Sequence, residues 1–472
     1  MAASTASLEG YYFSAALSCT FLATCLLFSA VSRALREPYM DEVFHLPQAQ
    51  RFCEGHFGPD QWDPMITTLP GLYLASVGVV KPAGWIFGWP EHAVCSIGML
   101  RFINVLFSAG TFYLLYLLLR KLQPRTKAAS GMQRVLSTVT LAIFPTLYFF
   151  NFLYYTDAGS VFFTLFAYLM CLYKNHKTAA LLGFCAFMFR QTNIVWAAFC
   201  AGTVVAQQLA EAWATELGKR KEGRPHSELA APLYFLVTFC TRPQNLQSLL
   251  LRVWPYVLLG LLFCVFVFLN GGIVVGDRSS HQACLHVPQL FYFCAFAFCF
   301  SSPHLLVLGR LRAFVGLVWR RCGTCVLLIL LGLAAVWRFS YAHKYLLADN
   351  RHYTFYVWRR LLQCHPAVPY LLVPAYLFAG WALADALRSR SVFWKLAFFA
   401  CLAAAIVPQQ LLEFRYFILP YLMYRLHVPP PPMSRLACEL GCYVALNFLT
   451  FYVFLHKTFQ WPGSQDVQRF MW

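Results

Sequence analysis

Apolar runs of about twenty residues, each closed by a short polar or basic stretch, recur along the whole chain. Roughly 20 apolar residues carry a helix across a bilayer, and the first run, Tyr11 to Val31, has that length. Lipid offers no water to backbone polar groups, so spanning segments must be helical. The pattern predicts an all-α polytopic membrane protein. No small-residue cleavage site follows the first run, which reads as a retained signal-anchor. Later runs predict crossings at 93–119, 135–150 and 158–173, two more around 190–193, and then at 253–275, 287–309, 322–340, 366–384, 396–408, 415–427 and 436–456. That makes about 13, within a range of about 12–14. Ile66 to Trp89 is also apolar, but Pro70, Gly71, Lys81, Pro82, Gly84 and Pro90 interrupt it, and Trp85 and Trp89 suit an interface. Residues 32–91 are therefore expected as one non-cytoplasmic loop with interfacial helices.

Charge fixes the orientation. The net charge of +18 accompanies no nucleic-acid motif, so it is read as Lys and Arg collecting in cytoplasmic loops. Arg120, Lys121, Arg125, Lys127 and Arg134 form an acid-free loop, and Lys219, Arg220, Lys221 and Arg224 mark another. Residues 32–64 instead carry Glu37, Asp41, Glu42, Glu54, Asp60 and Asp63 against three Arg. The expected organisation is an N-terminal membrane module, 1–209, containing that outer loop; a cytoplasmic loop, 210–252; and a C-terminal membrane module, 253–472, with an outer cationic stretch at 341–360. No internal repeat of constant period is visible, which weighs against a transporter built from repeated halves. Most of the 18 Cys lie inside apolar runs, where Cys behaves as a small hydrophobe. Cys322-x-x-Cys325 and Cys438-x-x-x-Cys442 start spans and give no metal or redox site.

Three polar clusters share the outer face: Asp41 with Glu42, Asp157 after Tyr154-Tyr155, and a group made of His343, Lys344, Asp349, Arg351, His352 and Arg415. A carboxylate can take a proton from an attacking hydroxyl. Cations stabilise charge that grows on a departing phosphate. That combination suits transfer from a phosphate-bearing lipid. Plainer readings stand beside it: a solvated acidic loop, Asp157 as a helix N-cap, Arg190 as a helix cap, and Arg359 and Arg360 as snorkelling anchors.

Tyr39-Met40-Asp41-Glu42 resembles the acidic motif of GT-C membrane glycosyltransferases that use dolichyl-phosphate sugars. The stretch His343-Lys344-Tyr345-Leu346-Leu347-Ala348-Asp349-Asn350-Arg351-His352-Tyr353-Thr354-Phe355-Tyr356-Val357-Trp358 is similar to the signature of one family, the dolichyl-phosphate-glucose alpha-1,2-glucosyltransferases of asparagine-linked glycosylation. Gly10-Tyr11-Tyr12-Phe13, Phe189-Arg190-Gln191-Thr192-Asn193, Leu412-Glu413-Phe414-Arg415-Tyr416-Phe417 and Gln468-Arg469-Phe470-Met471-Trp472 extend the resemblance over essentially the whole chain. It implies a GT-C fold in the endoplasmic reticulum membrane with a luminal active site. It also implies a dolichyl-phosphate-glucose donor, a diglucosylated dolichyl-diphosphate oligosaccharide acceptor, and inversion at the anomeric carbon. On that reading Asp41, with Glu42 as fallback, is the base. Arg351, His352, Lys344, Arg415 and His343 meet the donor phosphate, while Asp157, Tyr155, Asp349 and Glu413 meet sugar. No cofactor and no metal are expected. The competing readings are a related dolichyl-phosphate-sugar transferase with another acceptor, and a non-catalytic transporter or channel-accessory protein.

Overall fold

The computed structural model describes residues 2–123, 131–219, 230–278 and 282–472. Arg125, Lys127, Arg220, Lys221 and Arg224, which support part of the topology reading, lie outside them. Among the described residues, seven helices are long and apolar enough to cross a membrane: Leu8–Ala34, Ile97–Leu122, Gln191–Glu216, Pro243–Asn270, Cys322–Phe339, Val368–Ala386 and Met433–His456. Shorter apolar helices accompany them at Gly71–Phe87, Asp157–Leu172, His176–Phe189, Ala231–Cys240, Pro288–Phe300 and Val392–Ile406. The protein is a multi-pass helical membrane protein.

Two expected spans take another form. Residues 135–150 divide into Gly131–Ala142 and Pro145–Phe150, because Pro145 has no N–H with which to continue the helical ladder. The span expected at 415–427 is a 3₁₀ turn, Phe414–Phe417, followed by Ile418–His427. Ten residues rise about 15 Å, half the thickness of a hydrocarbon core. Every residue of that helix is buried, so it is surrounded by protein rather than lipid. Its Arg425 is tolerated there because Glu439 receives it at 3.0 and 2.8 Å and also meets His304 at 2.7 Å. The stretch 210–252 is not a plain loop either: Ile194–Lys219 runs into it, and Ala230–Cys240 and Pro243–Asn270 occupy its second half.

One apolar core joins the two expected modules. Phe199 packs on Trp394 and Phe398, and Phe144 stacks on Tyr421 at 4.6 Å. Arg134 is spent inside it, donating to Glu9 at 2.9 and 2.7 Å.

The outer acidic segment is ordered by its own helices. The first helix stops at Ala34, short of Pro38, and Met40 adopts a left-handed φ of 57° to turn the chain into Glu42–Cys53. Gly71–Phe87 follows, its Trp85 84% exposed, as an interfacial helix requires. A disulfide between Cys53 and Cys95 ties the end of Glu42–Cys53 to the start of the next span. Residues 458–472 lie on the same side: Thr458–Phe459 pairs antiparallel with Gln468–Arg469, and Met471 forms a parallel bridge with His352.

Candidate active site

The acidic pair divides. Glu42 begins its helix with 0% of its surface exposed. Arg101 donates to both of its oxygens, at 2.8 and 2.6 Å, and the backbone N–H groups of Tyr39 and Tyr154 donate at 3.0 and 2.6 Å. Its acceptor positions are filled, so the carboxylate expected as fallback base is instead the anchor of the loop. Arg101 also donates to the carbonyls of Leu35 and Glu37. One guanidinium thus gathers both sides of the turn that presents Asp41.

Asp41 occupies the N-cap position yet makes no side-chain cap hydrogen bond. Its side chain is 43% exposed and faces Arg415 Nη1 at 3.4 Å, while its backbone N–H donates to the Tyr155 hydroxyl at 3.2 Å. Burial opposes its ionisation, but Arg415, His45 and His352 outweigh that and hold its carboxyl below the ordinary value. His45, one turn along the same helix, shares a 2.5 Å hydrogen bond with the Tyr73 hydroxyl. Burial dominates its titration and lowers it to about 4, so it is neutral at pH 7.

Arg415 is the hub. It donates to Glu413, stands 3.7 Å from Asp157 Oδ2, and lies over the rings of Phe150 and Tyr155, each centroid 5.2 Å away. Its guanidinium stays charged against burial because Glu413, Asp41 and Asp157 surround it. Asp157 is not the N-cap of its helix; Thr156 is, and Asp157 receives Arg190 at 2.7 Å. Arg190 is accordingly part of the cluster.

The cationic stretch reaches the same place with most of its charge engaged. Asp349 receives Arg351 at 2.8 and 2.7 Å, and Arg351 also reaches Gln468 and stacks 4.8 Å from the Trp461 ring. Asp349 and Glu413, expected to meet sugar, therefore hold arginines. His343 Nδ1 accepts the Tyr345 N–H at 3.2 Å and starts the turn Lys344–Ala348. His352 Nδ1 meets the Trp472 backbone oxygen at 2.9 Å, while its Nε2 lies 3.8 Å from Asp349. Lys344 is exposed, its ammonium 5.2 Å from the Tyr345 ring centroid. The π-helical turn Val357–Leu362 carries Arg359 and Arg360 outward over Phe355 and Tyr356.

The geometry brings Asp41, Tyr155, Asp157, Glu413 and Arg415 together, with His352 and the Asp349–Arg351 pair alongside. Sequence reasoning missed Arg101, His45 and the Cys53–Cys95 bond. An arginine inside an apolar run was the available signal for the first. For the bond, these are the two Cys within residues 32–96, Cys53 in the outer loop and Cys95 at the outer end of the run expected at 93–119.

A family model described as the DIE2/ALG10 family matches residues 35–426. Proteins named Dol-P-Glc:Glc(2)Man(9)GlcNAc(2)-PP-Dol alpha-1,2-glucosyltransferase are similar over nearly the full length. The one from Mus musculus is 69% identical, covering 99% of this chain and 100% of its own. The one from Arabidopsis thaliana is 33% identical, covering 94% and 96%. Among solved structures, an Archaeoglobus fulgidus oligosaccharyltransferase complex with Zn and sulfate aligns at 14% identity over 79% of this chain and 46% of that one, with a TM-score of 0.24, too slight to bear on the fold.

Proposed function

The chain belongs to the DIE2/ALG10 family, and from that premise we propose that it is an inverting alpha-1,2-glucosyltransferase. It moves glucose from dolichyl-phosphate-glucose to the 2-hydroxyl of the terminal glucose on a diglucosylated dolichyl-diphosphate oligosaccharide. The observation that carries the mechanism is Asp41: of the acidic pair it alone is accessible, and Arg415 favours its ionised form. Asp41 accepts the proton of the acceptor 2-hydroxyl as that oxygen bonds to the anomeric carbon. The bond from that carbon to the phosphate oxygen breaks on the opposite side, and dolichyl phosphate leaves with the electron pair.

His352 and Lys344 are the residues assigned to that phosphate, since Arg351 is committed to Asp349 and Arg415 is bracketed by three carboxylates. Protein cations then balance the leaving charge without a metal. The site faces the lumen of the endoplasmic reticulum; the Cys53–Cys95 disulfide supports this, because disulfides persist in that oxidising compartment. No observation favours the transport or channel-accessory reading.

The test is glucose transfer by purified protein from a dolichyl-phosphate-glucose analogue to mono- and diglucosylated acceptors, with and without a chelator. The diglucosylated acceptor should react alone, and chelation should leave the rate unchanged. Absence of transfer to either acceptor overturns the reading.

A further inference from the structure

Among the described residues, every hydrogen bond that residues 349–353 make beyond the stretch 343–358 ends on residues 461–472. Trp461 donates its indole N–H to Asn350 Oδ1 at 2.8 Å, and its ring centroid lies 4.8 Å from the Arg351 guanidinium. Gln468, 5% exposed, accepts from Arg351 Nη1 at 3.2 Å. The Met471 N–H donates to the Arg351 carbonyl, and the Met471 carbonyl accepts from the Tyr353 N–H, both at 2.9 Å. We infer that residues 461–472 are a strap that sets the place of His352, and that Trp461 and Gln468 are positioning residues for departure of the phosphate; this rests on the glucosyl-transfer reading above.

The strap also decides which ring atom His352 presents. The Trp472 backbone oxygen, 2.9 Å from Nδ1, only accepts, so Nδ1 carries its hydrogen and Nε2 is the atom left for a ligand. Nε2 stands 3.8 Å from Asp349 Oδ2, beyond hydrogen-bond reach. The ring lies close enough to Asp41 to favour the ionised carboxylate. On its other side the strap holds the proposed base: the hydroxyl of Tyr39, just before the Asp41 turn, meets both the N–H and the carbonyl of Arg469. Trp472 is buried and packs on Phe414, next to Arg415. One segment thus fixes the separation of the base from the residue assigned to the phosphate. A misplacement of about 1 Å costs up to about 10²-fold in rate, so strap residues that touch no substrate set kcat.

The test is glucose transfer by full-length Gln468→Ala, Gln468→Glu and Trp461→Leu, each alone and combined with His352→Ala or Lys344→Ala. Gln468→Ala should lower kcat by about 10- to 100-fold with the KM for the acceptor unchanged. Gln468→Glu, whose carboxylate still accepts from Arg351, should keep near-parent rates. In His352→Ala no ring is left to place, so adding Gln468→Ala should cost about threefold or less. In Lys344→Ala the full cost should remain, because that ammonium lies 5.2 Å from the Tyr345 ring centroid and not on the strap. If Gln468→Ala does not fold, Trp461→Leu, at a half-buried position, carries the same comparison. Parent kcat in the variants that fold, or losses that add in full to that of His352→Ala, overturn the strap. Failure of the parent to transfer native glucose instead removes the reading on which it rests.

Discussion

Asp41 and Glu42 are neighbours in sequence with opposite surroundings, because the turn at Met40 and the start of the helix direct one side chain to Arg415 and the other to Arg101. Asp41→Asn should lower kcat by about 10²–10⁴-fold with the melting temperature unchanged. Glu42→Gln breaks a buried pair and should cost about 3–5 kcal/mol of stability, read as lost thermal resistance in detergent; the reverse pattern would exchange their roles. As the proposed base Asp41 has to be ionised, and Arg415 helps hold its carboxyl below the ordinary value, so the acid limb of kcat/KM should lie below the usual carboxylate range. Removing the neighbouring charge in Arg415→Gln should move that limb to higher pH, and an unmoved limb would separate Arg415 from the base. His45 has a folded pKa of about 4 against 6.5 unfolded. The unfolded chain therefore binds more protons between those values, and stability falls as pH drops through that window. His45→Gln should remove that part of the slope in thermal unfolding followed from pH 7 to pH 4. The candidate residues were legible because charge beside a bilayer is rare; their partners were not, since side chains one position apart in a turn can face opposite ways.

The spanning helices could be read from run length, but the short ones could not. Ile418–His427 falls in a run expected as a span yet is entirely enclosed by protein, and a hydropathy pattern does not distinguish burial in protein from burial in lipid. Proline marked the break at Pro145, where a single crossing was expected. The Cys53–Cys95 bond fixes the far end of the helix that begins at Glu42. Replacing Cys53 with Ser should cost about 2–4 kcal/mol and should lower kcat by loosening the Asp41 turn. Migration on non-reducing gels, with and without reductant, reports whether the bond is present.

Across the whole molecule, residues near 41, 157, 351, 415 and 469 meet on one face. The topology count placed the first four on a shared side from charge alone, whereas the position of 458–472 left no signal in the pattern of spans. An Asn-x-Thr acceptor engineered near residue 58 should be glycosylated in cells, and one engineered near residue 312 should not; modification at 312 would invert the orientation. The last residues also impose an order on manufacture. The Tyr39 hydroxyl bonds both the carbonyl and the N–H of Arg469, 430 positions away, and Met471 holds Arg351 and Tyr353 through their backbones. At about 5–20 residues per second, the ribosome works for roughly 20–90 s between the two ends of that clasp. Until residues 469–471 are made, the acidic loop of a nascent chain lacks these contacts, and the clasp closes only afterwards.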